Sequence, residues 1–153
     1  MTLDVVAPVA GRVVALADVP DEVFASGTTG PGLAIVPDGE AGVLDVVAPC
    51  AGLLASAKPH ALVVEAGSFG VLVHLGVDTV TLHGRGSELL AVGGTTVEAG
   101  QLLTRWDVGV AAAAGLPLVT PVAVFELSEL DVTPLVPLGH VVAAGDPLFR
   151  AKR

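Results

Sequence analysis

Asp4-Val5-Val6-Ala7-Pro8-Val9-Ala10-Gly11 recurs 41 residues later as Asp45-Val46-Val47-Ala48-Pro49-Cys50-Ala51-Gly52. A second pair follows. Gly94-Thr95-Thr96-Val97-Glu98-Ala99-Gly100-Gln101-Leu102-Leu103 matches Gly139-His140-Val141-Val142-Ala143-Ala144-Gly145-Asp146-Pro147-Leu148, at an offset of 45. Each unit is a short valine-rich run closed by proline and glycine, which is the composition of a brief strand and a tight turn. Two copies at unequal offsets imply one small β unit used twice and varied by its loops, since a solenoid needs three or more.

Between the repeats lie further short apolar runs: Arg12–Leu16, Leu33–Val36, Ala61–Val64, Gly70–Leu75 and Thr79–Leu82. Several are apolar at every position, as in strands covered on both faces. Helix is scarce. Ser87–Val92 is expected to form a turn or two, and Val108–Ala114 a short helix ended by Gly115 and Pro117. The expected fold class is all-β: an antiparallel β-sandwich built from a duplicated motif, with one or two short helices, forming a single domain over residues 1–153.

Composition narrows the function. A net charge of −9, with 7 Lys+Arg against 16 Asp+Glu, leaves no basic stripe for a phosphate backbone, so no DNA or RNA partner is expected. Only 15% of residues are charged while 52% are hydrophobic, which provides a core and argues against disorder. Val108–Phe125 is uncharged and nominally long enough to span a bilayer, yet Gly109, Gly115, Pro117 and Pro121 break it. The first residues have no basic run, and Asp4 interrupts any apolar stretch, so a cytoplasmic location is expected. The single cysteine, Cys50, stands where the first copy has Val9 and reads as a small buried hydrophobe rather than a nucleophile.

Four histidines remain as candidates for chemistry. His74 sits inside the apolar run Val71–Leu75, and His60 opens the run that precedes it. The fourteen residues between them suffice for a strand, a turn at Gly67-Ser68 and an antiparallel return, which would set the two imidazoles opposite each other. Two readings of His74 stay open on these grounds. It is either a satisfied core histidine, or a half-buried nucleophile whose tautomer is fixed by a backbone carbonyl while its other nitrogen is free. His83 and His140 read as solvated loop residues.

Val73-His74-Leu75-Gly76-Val77-Asp78-Thr79-Val80, followed by Leu82-His83-Gly84-Arg85-Gly86, resembles the active-site signature of the glucose-type enzyme IIA of the bacterial phosphoenolpyruvate-dependent sugar phosphotransferase system. Further motifs fall in that family's order, among them Asp18-Val19-Pro20-Asp21 with Val23-Phe24, His60-Ala61, Thr120-Pro121-Val122 and Gly145-Asp146. Together they cover essentially the whole chain.

The resemblance implies that His74 accepts a phosphoryl group on Nε2 from the phosphohistidine of the small carrier HPr. The group then passes to the enzyme IIB domain of a IIB/IIC sugar permease of the glucose or N-acetylglucosamine class. His60 is implied as the partner that hydrogen-bonds the phosphoryl group. Val23, Phe24 and Val80 match the apolar rim where carriers dock, and Asp21 and Asp78 the acidic residues that meet their basic side chains. The family fold is an antiparallel β-sandwich of duplicated motifs. Some relatives also bind transporters or enzymes according to phosphorylation state. No cofactor is implied, although His60 and His74 offer two ligands to an adventitious zinc ion.

This chain departs from the family pattern in places. Lys58 and Pro59 replace a threonine and a polar residue before the first histidine, and Leu62 and Leu75 are aliphatic where relatives carry aromatics. Lys58 reads either as a solvated strand-end lysine or as an ammonium that assists the phosphoryl group. The chain starts at its first strand, without the amphipathic N-terminal tail of some relatives. A lysostaphin-type zinc peptidase shares the His74-x-x-x-Asp78 spacing but needs a downstream His-x-His, which is absent. A biotinyl- or lipoyl-type carrier needs a lysine at a hairpin tip, and neither Lys58 nor Lys152 has the right setting. A non-catalytic regulatory binder would have no use for both His60 and His74.

Overall fold

Proline and glycine punctuation cuts the chain into fourteen short strands, and the structure, a computed structural model, describes all of residues 1–153. The first strands are β1 (Thr2–Val6), β2 (Gly11–Ala15) and β3 (Gly32–Val36). Then come β4 (Val43–Val47), β5 (Gly52–Lys58), β6 (Ala61–Ala66), β7 (Phe69–His74), β8 (Ser87–Leu89), β9 (Thr96–Val97) and β10 (Leu102–Asp107). The last are β11 (Thr120–Val124), β12 (Val132–Pro134), β13 (Val141–Val142) and β14 (Pro147–Lys152). Two short helices, α1 (Glu22–Ala25) and α2 (Val108–Ala113), complete the regular structure.

Every strand pair is antiparallel. The strands form an eight-stranded sheet in the order β13-β2-β3-β11-β7-β6-β5-β9 and two three-stranded sheets, β1-β14-β12 and β4-β10-β8. All three sheets contribute to one core that includes Val5, Ile35, Val46, Leu54, Val73, Trp106 and Phe149. The large sheet is also covered outside, where Leu16, Val19, Phe24 and Val77 pack on Ala34 and Ala123. In β3, Leu33 and Ile35 face the main core while Ala34 faces the outer cluster. Burial on both faces is what removes the alternating polar residues from these strands.

The duplication extends well beyond the repeated words. Val6 N–H donates to Pro49 O at 2.9 Å and Val47 N–H to Pro8 O at 2.8 Å, so each copy closes on the other. The ion pair Arg150–Asp4 (2.6 Å) joins β14 to β1, and Arg105–Asp45 (4.0 Å) occupies the same register between β10 and β4. Leu75 N–H donates to His60 O at 2.8 Å, and Val124 N–H to Pro31 O at 2.9 Å. One copy is therefore β4 through β10 in unbroken order. The other is β1–β3 together with β11–β14, wrapped around it.

One difference between the copies bears on the site. β5 reaches β6 through Pro59-His60 alone, whereas β2 reaches β3 through residues 16–31, which carry α1. The sequence expectations fail at three places. Thr79–Leu82, expected as a strand, is a 3-10 turn: Gly76 (φ 76°) and Asp78 (φ 61°) turn the chain out of the sheet, and Thr79 Oγ1 donates to Leu75 O at 2.6 Å. Ser87–Val92, expected as a helical turn, supplies β8, which pairs with β10 from Ser87 to Leu89. A segment that short cannot nucleate a helix against the ladder β10 offers. Helix α1 was not anticipated, while α2 lies where expected, its start capped by Asp107 Oδ1, which accepts from Gly109 N at 3.0 Å. No helix is long and apolar enough to cross a membrane. Cys50 is buried, and burial pushes its thiol up to about 11, in keeping with a packing role.

The glycine that ends each repeated word is a packing requirement. A Cβ at Gly52 would lie 2.2 Å from Glu65 O, and one at Gly11 would lie 2.4 Å from Val36 O. Backbone cannot yield as a side chain can. Gly11→Ala and Gly52→Ala are each expected to cost more than about 2 kcal/mol in urea unfolding; a loss within error of zero would mean that the strands separate freely there.

Candidate functional site

His74 is the last residue of β7, half-buried and paired across the ladder with Ala61 of β6. Its Nδ1 lies 2.6 Å from the carbonyl oxygen of Gly76. A carbonyl only accepts, so Nδ1 carries the proton and Nε2 is left with its lone pair. The turn that brings this carbonyl back is itself held. Val77 N–H donates to Pro117 O at 3.0 Å, and a Cβ at Gly76 would stand 2.8 Å from that same oxygen. The buried hydroxyl of Thr79 fixes the next turn by its bond to Leu75 O.

His60 reaches the site from the two-residue β5–β6 turn. Its carbonyl accepts from Leu75 N–H, which ties the turn to the residue after His74. The two rings lie 5.5 Å apart at their centroids and are inclined by 65°. Burial, the neighbouring His74 ring and the Lys58 ammonium all disfavour the charged imidazole, so His60 titrates below the ordinary histidine value. These neighbours favour the neutral ring, which can donate one hydrogen bond and accept another.

Phe24 of α1 packs against His74 from the other side, with centroids 5.5 Å apart and an inclination of 60°. It is only 7% exposed, so it braces the histidine from beneath and is not available as an open rim contact. Val23 and Val80, each 53% exposed, are the apolar residues that face outward. Asp78 is exposed at the left-handed turn after His74. Asp21 is half-buried and caps α1, its Oδ1 accepting from Val23 N–H at 2.9 Å. His83 and His140 are exposed turn residues, as their sequence setting suggested.

The depression at the histidines is slight. A cavity of about 10 Å³ lies under His60, lined in part by Leu75, Thr79, Arg85 and Trp106. A wider concavity, about 500 Å³, is lined by Leu16, Phe24, Pro31, Leu33 and Leu127 and by neither site histidine. A site this shallow does not enclose a small molecule; it suits a group presented on another protein's surface. No group of three or more histidine, cysteine or carboxylate side chains is gathered as for a metal ion. Sequence reasoning missed Gly76 O, Thr79 and the bracing by Phe24. Asp21 after Pro20 was a legible helix-start signal, whereas nothing local in the sequence reveals which carbonyl meets Nδ1.

The fold and the site together define an antiparallel β-sandwich domain with two half-buried imidazoles facing each other at a shallow surface site. Residues 3–130 match the family model described as phosphoenolpyruvate-dependent sugar phosphotransferase system, EIIA 1. The chain belongs to that family. It is 34% identical over 153 residues to the N-acetylglucosamine-specific EIICBA component of Escherichia coli K12, covering 98% of this chain and 23% of that protein. It is 32% identical over 133 residues to the glucose-specific EIIA component of Borreliella burgdorferi, covering 85% of this chain and 68% of that one. The solved structure of glucose permease IIA from Mycoplasma capricolum superposes with a TM-score of 0.83 at 32% identity, over 98% of this chain and 96% of that one. The chain thus spans under a quarter of the length of the first multidomain relatives.

The depressed His60 value sets a pH dependence. The unfolded chain binds a proton at this residue before the folded chain does. The contribution is therefore complete above the ordinary histidine range and is lost as pH falls through it. Tm is expected to drop between about pH 7 and about pH 5, and to drop less steeply in His60→Gln. Equal slopes in the two proteins would assign the dependence to other groups.

Proposed function

We propose that His74 carries the phosphoryl group on Nε2, taking it from the phosphohistidine of HPr and delivering it to the enzyme IIB domain of a sugar permease. The observation that carries this reading is the Nδ1 contact with Gly76 O, which leaves Nε2 as the nitrogen with a free lone pair. The names of the relatives, specific for N-acetylglucosamine and for glucose, favour a permease of that sugar class. Such a carrier works at the cytoplasmic face, where the permease presents its IIB domain.

The step balances without moving a proton. The N–P bond of the donor's protonated phosphoimidazole breaks, and its electron pair stays on the donor nitrogen, which leaves as neutral imidazole. The His74 Nε2 lone pair forms the new N–P bond, while the Nδ1 proton remains against Gly76 O and now belongs to a cationic ring. The phosphoryl group passes through a loose transition state, which asks for alignment and charge stabilisation rather than covalent assistance. A neutral His60 donating one hydrogen bond stabilises the dianion without trapping it. No cofactor is needed for this chemistry.

Val23 and Val80 form an apolar docking surface that acidic residues, Asp78 foremost, steer toward basic carriers. Incubation with phosphoenolpyruvate, enzyme I and HPr is expected to label the chain with one acid-labile phosphate, absent in His74→Ala. In His60→Ala labelling persists, while transfer to IIB falls by about a hundredfold or more. Undiminished labelling of His74→Ala refutes the acceptor assignment. Val23→Asp and Val80→Asp are expected to raise KM for both carriers and leave Tm unchanged.

A further inference from the structure

We propose that Lys58 supplies the cation that holds the phosphoryl group on His74, an inference that rests on His74 being the acceptor. The hairpin β5–β6 closes at the pair Lys58–Ala61, and Ala61 pairs on its other edge with His74. Lys58, Ala61 and His74 therefore form one row across three adjacent strands. Directly opposed residues of antiparallel strands project to the same face. The adjoining row Ala57–Leu62–Val73 faces the core, with Leu62 and Val73 fully buried, so the row of Lys58 faces outward.

Neighbouring strands stand about 4.8 Å apart, which puts the backbones of Lys58 and His74 roughly 10 Å from each other. Only the methyl group of Ala61 lies between them. A four-carbon stem carries an ammonium roughly 6 Å from its own backbone, enough to lean over a methyl group toward a phosphoryl oxygen on the neighbouring ring. A larger side chain at position 61 would wall the two apart.

The ammonium has no other employment. Lys58 is exposed and makes no ion pair or hydrogen bond in the fold, whereas the two paired arginines, Arg105 and Arg150, hold carboxylates away from the site. Arg85, which lines the small cavity under His60, has its Nε committed to Leu82 O at 3.3 Å. In a chain of net charge −9, a lysine with no acidic partner two residues from one site histidine and one methyl group from the other is left for an incoming anion. Lysine serves phosphate as a mobile point charge, so it stabilises the dianion without imposing a rigid geometry.

The test is the equilibrium of phosphoryl exchange between HPr and this chain, measured for wild type, Lys58→Gln and Lys58→Arg. NMR titration of His60 in each unphosphorylated protein accompanies it. In Lys58→Gln the equilibrium is expected to move toward phospho-HPr by about five- to tenfold, with a smaller difference at high salt. Lys58→Arg restores it. His60 titrates higher in the Gln variant than in wild type, a change that a purely structural lysine would not cause. An exchange equilibrium within twofold of wild type in Lys58→Gln, with the label still on His74, overturns the role of Lys58 and leaves the acceptor assignment standing. Label that survives in His74→Ala overturns both.

Discussion

The hydrogen bond from His74 Nδ1 to the carbonyl of Gly76 is only two residues long in sequence, yet it depends on much of the molecule. For the carbonyl to turn back on the ring, the chain must leave the sheet at once after β7, through a glycine whose positive φ and lack of Cβ bring it against Pro117 O. Pro117 is placed by the segment between α2 and β11, and β11 is the strand that pairs with β7. The contact fixes the tautomer and so leaves Nε2 as the nitrogen with a free lone pair. The second constraint acts through Leu75, whose N–H holds the carbonyl of His60 and so sets the separation of the two rings. Backbone groups, not side-chain charges, position both imidazoles.

Duplication explains why such a site exists once rather than twice. Each copy offers the same corner, a turn carbonyl accepting from the amide at a strand end. In the second copy the corner holds His60 and Leu75 beside His74; in the first it holds Pro31 and Val124 beside Ala123. The first copy has no imidazole at this corner but has the sixteen-residue connection between β2 and β3. That insertion lays Phe24 across the outer face of the shared sheet and against His74. One copy supplies the paired imidazoles and the other the brace. A tight hairpin suits the histidine-bearing corner because a two-residue turn gives His60 little freedom to leave.

The fold was legible because it is written in local punctuation. Repeated words ending in glycine, and valine runs apolar at every position, correspond to strand ends that meet backbone and to a sheet covered on both faces. The histidine pair was legible for a similar reason. Gly67-Ser68 marks the turn, and counting from it sets Ala61 against His74. Errors arose where tertiary pairing outweighs local preference. Ser87–Leu89 is extended because β10 is there to receive it, and Thr79–Leu82 coils because Gly76 and Asp78 have already left the sheet. The burial of Phe24 could not be read from a motif, since it follows from a helix of one turn that packs onto strands distant in sequence.

A phosphoryl carrier must accept its group from one protein and release it to another, so its site must avoid holding the anion too well. A buried, doubly hydrogen-bonded arginine would do so, since charge-assisted bidentate pairs are strong and rigid. Here the groups around His74 are graded differently. His60 is kept neutral by burial and by the positive charge nearby, which leaves it a hydrogen-bond donor rather than a counter-ion. The cation proposed to assist is on an exposed, flexible stem, where water and salt weaken its attraction. Val23, Val80 and Asp78 are exposed on the segments beside this centre, and in the proposed carrier a carboxylate there would repel the dianion while attracting the proteins that bring and remove it. On the proposed reading, moderate stabilisation of the bound group and attraction for its carriers fall to different residues, and either can change without disturbing the backbone hydrogen bonds that hold the rings in place.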